Sequence, residues 1–268
     1  MSTDSVFAGS IPELYDTLVV PMMFLDYAED VAAEVASAAP HDVLETAAGT
    51  GAVTRSLHRL LPSARITATD LSPGMLDRAA TVLPSSDLVR WIPADAQDLP
   101  FDDASFDAVM CQFGVMFFPD RPGAYAQVRR VLRPGGRHVM AVWGRIEDNE
   151  ASLAVAEALT VLFVDDPPQF LRRTPFGYTD VTVIRTELED AGFTDVSIRT
   201  VTHHSRPTSA RDIAVAHCQG TPLAHILAER HVDTARTTAE LTRLLEARWG
   251  TQPYVGRLSA HVVTAVAA

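Results

Sequence analysis

Glu45-Thr46-Ala47-Ala48-Gly49-Thr50-Gly51 is the stretch on which the fold turns. It follows the apolar pair Val43-Leu44 and precedes residues 53–61, whose apolar positions recur at helical spacing. A buried strand, a glycine-bearing turn and a helix, in that order, open a β-α-β unit, because parallel strands need a long crossover. Glycines here let backbone N–H groups and the helix N-terminus approach a ligand, an arrangement suited to an anion. In Ala47-x-Gly49-x-Gly51 the next fingerprint position is Thr54, where a dinucleotide-binding turn wants a small residue. A nicotinamide ligand loses ground on that count, and a tight turn with no ligand stays open.

Working outward, residues 65–69 read as a second strand and 73–83 as a helix with Pro73 in its first turn. Strands follow at 88–92 and 106–113, then a helix at 124–132. Arg133-Pro134-Gly135-Gly136 reads as a tight turn into a strand at 137–143. Further on, 180–191 forms a helix closed by Gly192, and 194–202 and 255–265 read as strands. The expected fold is α/β: a doubly wound, mostly parallel seven-stranded sheet. Residues 145–179 and about 206–252 interrupt the alternation as helical insertions, expected to fold as lids over the carboxyl ends of the strands, where open α/β sheets bind ligands.

Asp70 ends the second strand about twenty residues beyond the turn. A carboxylate there suits the two hydroxyls of a ribose, and equally a helix cap before Ser72-Pro73. After the third strand comes Asp95-Ala96-Gln97-Asp98-Leu99-Pro100-Phe101-Asp102-Asp103-Ala104-Ser105-Phe106-Asp107. With this segment, the turn, residues 66–79 and Leu132-Arg133-Pro134-Gly135-Gly136, the chain resembles the class I S-adenosylmethionine (SAM)-dependent methyltransferases. The likeness is strongest to the small-molecule enzymes of the ubiquinone/menaquinone-biosynthesis type.

That resemblance implies a Rossmann-like methyltransferase fold with SAM as cofactor. It implies a core at 41–144, a helical cap at 1–40, a lid at 145–179 and the rest of the sheet at 180–268. Glu45, Thr46, Ala47, Gly49 and Gly51 would then face the methionine part of SAM. Asp70 would take the ribose diol, Leu71 the adenine face, and Asp95 and Ala96 the adenine edge. Gln112 and Phe113 would lie beside the sulfonium. Phe7-Ala8-Gly9-Ser10-Ile11-Pro12-Glu13-Leu14-Tyr15-Asp16 also resembles this group, placing Tyr15 near the reactive end; Tyr27 is a weaker candidate, with core packing as its alternative. The chain departs from the family at Ala47, usually glycine, and at Glu45, usually aspartate.

Methyl transfer needs alignment more than acid-base machinery, except where the acceptor must lose a proton. His203 and His204, after the sixth strand, are the base candidates. Phe163, Phe170, Phe176 and Tyr178 suggest an apolar or aromatic acceptor methylated on oxygen, carbon or nitrogen; simple packing of the insertion is the alternative. The net charge of −12 disfavours nucleic acid as a partner. Two distant cysteines, Cys111 and Cys218, fit no metal or redox spacing, and no metal is expected. Met1-Ser2-Thr3-Asp4-Ser5 lacks the pattern of a signal peptide and no apolar run is long enough to span a bilayer, so a cytoplasmic protein is expected. Monomer and homodimer both stay open. Two other functions compete: a SAM-binding protein of this fold without methyl transfer, such as a cyclase or accessory protein, and a nicotinamide oxidoreductase.

Overall fold

β1 (Asp42–Glu45) buries Val43, Leu44 and Glu45 and pairs in parallel with β2 (Arg65–Asp70) on one side and β4 (Phe106–Gln112) on the other. This is a computed structural model, and it describes every residue except 1–6, Ala8, Ser10 and Pro207. The expectation drawn from Met1 to Ser5, and Ala8 and Ser10 of the family-like N-terminal stretch, lie outside the described residues.

β3 (Val89–Pro93), β5 (Leu132–Trp143), β6 (Phe193–His204) and β7 (Arg257–Ala267) complete a seven-stranded sheet of order β3-β2-β1-β4-β5-β7-β6. The first five strands run parallel, and β7 runs antiparallel between β5 and β6. The sheet is therefore mostly parallel, as the alternating pattern predicts. β5 begins earlier than the sequence suggests. Leu132 already pairs with Phe106, and the register slips before Arg137 meets Ala108, so Arg133 to Gly136 form an irregularity inside the strand rather than a turn leading to it. Gly135, at φ +78°, supplies the left-handed residue that this detour needs.

The crossover helices are α3 (Ala52–Leu60), α4 (Pro73–Val82), α5 (Arg121–Val131) and α8 (Val181–Asp190). Pro73 stands at the first turn of α4, and Asp180 caps α8 through the Thr182 and Val183 N–H groups. The N-terminal segment runs through α1 (Ile11–Leu14), a π-helical stretch Tyr15–Phe24 that contains Pro21, and α2 (Leu25–Ala36), which packs on α3. Pro21 has no N–H to give, and wide helical turns of this kind accommodate such a break.

The insertions hold α6 (Glu150–Leu162), α7 (Phe170–Arg173), α9 (Ala210–Gln219), α10 (Leu223–Glu229) and α11 (Thr234–Trp249). α6, α9 and α11 pack on one another, and α9 also touches α1 and the π-helical stretch. The insertions and the N-terminal segment thus close on each other across one end of the sheet. Among the described residues no helix is long and apolar enough to cross a membrane.

Candidate active site

The loop between β1 and α3 is built on backbone that most side chains avoid. Ala47, Gly49 and Gly51 all have positive φ, at 51°, 56° and 80°. Glycine meets this at no steric cost, whereas Ala47 carries a penalty of about 1–2 kcal/mol. Room for its methyl comes from across the loop: a Cβ on Gly114 would lie 2.4 Å from the Ala47 Cβ. The missing family glycine is thus matched by a glycine elsewhere. The loop is tied down by Ala48 N–H to the Thr69 carbonyl at 2.9 Å and by Gly49 N–H to Asp70 Oδ2 at 2.8 Å.

Asp70 is not the cap of α4. That position is Ser72, whose N–H donates to Asp70 Oδ1 at 2.8 Å. The carboxylate thus receives a loop N–H on each oxygen and keeps lone pairs for a ligand. Burial raises its pKa, against the pull of the Ser72 and Gly49 N–H groups.

These groups border a cavity of about 580 Å³. Of the residues expected to face a ligand, Tyr15, Ala47, Gly49, Asp70, Leu71, Asp95, Ala96, Gln112 and Phe113 line it. Glu45 lies behind, in a small adjoining pocket of about 30 Å³ that shares Tyr15, Phe24, Ala47 and Gln112 with the larger one. Thr46 and Gly51 line neither. Thr46 is buried with its N–H on the Met110 carbonyl, and Gly51 caps α3 where a Cβ would stand 2.5 Å from Trp91. Tyr27 is fully buried, edge-on to Phe113 and Trp143 with its hydroxyl on the Val201 carbonyl, which is packing.

His203 and His204 are not on the cavity wall. They sit at the right end of the sheet but on its edge strand, with β7 between them and β5. His203 bonds to Asp30 of α2 at 2.7 Å, and His204 is exposed. The histidine that does line the cavity is His217 of α9. Of the insertion aromatics, Phe170 reaches the cavity, Phe176 packs on Trp143, and Tyr178 is hydrogen-bonded to Tyr125 and Glu187.

The cavity wall mixes two kinds of side chain. Its polar members include the Asp70 and Asp95 carboxylates and Gln112. Nε2 of Gln112 donates to the Phe24 carbonyl at 2.9 Å, while its Oε1 is buried without a partner. The same wall carries the apolar Met22, Met23, Phe24, Trp143, Phe170 and Leu171 and, besides these, Arg121 and Arg173. Phe113, at φ 52°, follows β4 and stacks on Trp143 at 3.9 Å. An open carboxylate, an orphaned buried acceptor and a glycine-type loop fit a ligand with a diol and a cationic group, as SAM has.

The N-terminal segment is pinned over the loop. Asp16, almost fully buried, bonds to Arg55 of α3 at 3.2 Å and to Arg78 of α4 at 2.8 Å. Tyr15 beside it stacks on Phe24 at 5.3 Å. Removing one partner leaves buried charge uncompensated, so Asp16→Ala is expected to cost roughly 2 kcal/mol. In a thermal melt this is a drop of roughly 5 °C; an unchanged midpoint would show the pairs to be idle.

Glu45 is buried with its carboxylate receiving the Thr54 hydroxyl. Burial pushes it up to about 8, against the pull of Thr54 and Arg55 and with a further push from Asp70. A carboxyl that keeps its proton folded and loses it unfolded makes unfolding release a proton. Stability is then lost as pH rises from the ordinary carboxylate range towards about 8. The difference between wild type and Glu45→Gln in urea midpoints, read from about pH 5 to about pH 9, should grow in the variant's favour, with other groups cancelling. A flat difference would contradict it.

The sequence profile of a family described as a methyltransferase domain matches residues 44–140, the stretch from β1 into β5. A demethylmenaquinone methyltransferase of Deinococcus radiodurans is 42% identical over 110 residues, covering 41% of this chain and 46% of that protein. The chain thus spans under half the length of that relative. A demethylmenaquinone methyltransferase of Clavibacter sepedonicus is 34% identical over 177 residues, 63% of this chain and 71% of that one. Among solved structures, a Haemonchus contortus phosphoethanolamine N-methyltransferase 2 bound to S-adenosylhomocysteine superimposes with a TM-score of 0.60 at 14% identity, over 95% of this chain and 56% of that one. The YcgJ protein of Bacillus subtilis gives 0.58 at 17%, over 90% and 98%. Domain match, sequence identity and shared fold agree: the chain belongs to the class I SAM-dependent methyltransferases, in the company of the demethylmenaquinone methyltransferases.

Proposed function

We propose that this methyltransferase acts on a small, apolar, aromatic acceptor held in the cavity against Met22, Met23, Phe24, Trp143, Phe170 and Leu171. The observation that carries it is that one cavity holds Asp70, Asp95 and Gln112 together with the apolar and aromatic Met22, Met23, Phe24, Phe113, Trp143, Phe170 and Leu171. SAM supplies an electrophilic methyl group on a sulfonium. The chain's part is to hold the two partners in line and dry. Asp70 would accept from the ribose hydroxyls, Asp95 and the Ala96 N–H would meet the adenine edge, Leu71 would cover its face, and Gln112 Oε1 would accept from the methionine ammonium. Tyr15 and Phe24, stacked on the same wall, would help keep water out. Alignment and exclusion of water of this kind are worth up to about 7–11 kcal/mol of barrier.

The relatives' names favour a quinone-type ring among aromatic acceptors. Supplying methyl-labelled SAM with a panel of naphthols, hydroquinones and small aliphatic amines tests the proposal. Label should pass to aromatic members with matching formation of S-adenosylhomocysteine. Transfer confined to the aliphatic amines would overturn it.

A further inference from the structure

The cavity wall also carries a histidine. His217, in the last turn of α9, lines it and is 3% exposed. Its Nδ1 lies 2.8 Å from the Ile213 carbonyl oxygen one turn back. A carbonyl only accepts, so the proton of the neutral ring sits on Nδ1, and Nε2 keeps its lone pair. Among the described residues Nε2 has no hydrogen-bond partner. The ring's position is fixed from both sides of its own backbone: Nδ1 bonds to Ile213, and the His217 carbonyl accepts from the Thr221 hydroxyl at 2.6 Å. Burial also lowers the pKa of His217, which keeps the resting ring neutral near pH 7 with Nε2 unprotonated.

Also on the cavity wall, Ser152 of α6 has a hydroxyl that is buried and unpartnered. An unpartnered buried hydroxyl costs about 1–3 kcal/mol, a cost that a ligand oxygen would relieve. Arg121, also on the wall, is committed to Glu187 by two bonds at 3.1 and 3.2 Å and to the Tyr178 ring.

Resting on the proposed aromatic acceptor, we infer that the acceptor carries a phenolic hydroxyl, that His217 Nε2 is its general base, and that the Ser152 hydroxyl donates to the same oxygen. The hydroxyl proton passes to Nε2. The electron pair so released forms the bond to the methyl carbon while the carbon–sulfur bond breaks with its pair on sulfur, and the imidazolium returns its proton to water. Delivered from oxygen, the pair gives an ether; delivered from the neighbouring ring carbon, it gives a C-methyl product once that carbon's own proton leaves to water. A phenol with an ordinary pKa of about 10 is almost entirely protonated at neutral pH, so the step needs such a base.

The test is a series of phenols of falling pKa, from 1-naphthol to 4-nitrophenol, turned over by wild type, His217→Asn and Ser152→Ala. Asparagine can keep the bond to the Ile213 carbonyl but places no atom at Nε2. His217→Asn is expected to lose about 10²–10⁴-fold in turnover on 1-naphthol and much less on 4-nitrophenol, which ionises unaided. S-adenosylhomocysteine affinity should not move, and the acid limb of the wild-type pH–rate profile should vanish. Ser152→Ala should raise KM several-fold and leave that limb in place. A loss equal across the series, or none, overturns the inference while leaving methyl transfer to aromatic rings standing. Turnover of hydroquinone ethers lacking a free hydroxyl, at the rate of the phenols, overturns the acceptor class. If His217→Asn no longer binds S-adenosylhomocysteine, wild type alone decides: a shallow dependence of rate on phenol pKa supports a base, and a steep one refutes it.

Discussion

Gly51→Ala is expected to be among the most damaging single-methyl additions in this protein, although Gly51 lines no cavity. Two costs fall on one atom. The backbone at φ +80° disfavours any Cβ, by about 1–2 kcal/mol. The added methyl also meets Trp91 at 2.5 Å and the Ala79 Cβ at 3.4 Å. The indole cannot swing clear cheaply, because its Nε1–H donates to the Leu83 carbonyl at 2.9 Å. Overpacking of this kind costs about 1–3 kcal/mol, so roughly 3 kcal/mol is expected in all, or roughly 10 °C in a thermal melt. Trp91→Phe would shed the far ring atoms and should return the overpacking part but not the backbone part. A double-mutant cycle reads that difference, and additive losses would refute the contact.

The second large effect is on cofactor binding. Asp70→Ala removes the acceptor for the Gly49 and Ser72 N–H groups as well as the proposed partner of the ribose diol. Hydrogen bonds to a charged group are worth about 1.5–3 kcal/mol each, so affinity for S-adenosylhomocysteine should fall by about 10²–10³-fold by calorimetry. Asp70→Asn keeps one carbonyl oxygen and should lose less. Its penalty is tempered because burial already disfavours the charge on Asp70. Equal affinity for Asp70→Ala and wild type would remove the residue from the site.

Much of this was legible in the sequence because the sheet is covered on both faces. Runs such as Val139-Met140-Ala141-Val142 can only be buried strands, and all four are fully buried. The loop residues that line the cavity were legible for a related reason: a ligand-facing backbone needs glycine-type conformations, and glycine is visible in a sequence. What was not legible is which buried residues share a wall. Met22, Trp143 and Phe170 come from three distant segments, and apolar spacing encodes burial without saying what lies opposite. His217 is the clearest case. A histidine at helical spacing gives no sign of whether its free nitrogen meets packing or a cavity. His203 and His204 misled for a topological reason: the end of β6 is on the ligand side, but the reversal at β7 carries it to the sheet's edge. Gly51 belongs to a ligand motif by position and to helix–sheet packing by contact.

The place of β7 also governs the order in which the molecule can assemble. As the chain is synthesised, β6 emerges with no neighbour to pair with, since the strand that joins it to β5 follows α9, α10 and α11. The nascent chain must therefore carry an unpaired β6 edge through the making of three helices. Pairings between residues so far apart in the chain are slow to form. Until β7 slots in, α9 and α11 can already lean on α6, and α9 on α1 and the π-helical stretch, while β6 still lacks its partner strand. A ribosome-bound chain halted before β7 should accordingly display its glycine loop beside an unpaired β6, and should be the species most exposed to edge-to-edge aggregation.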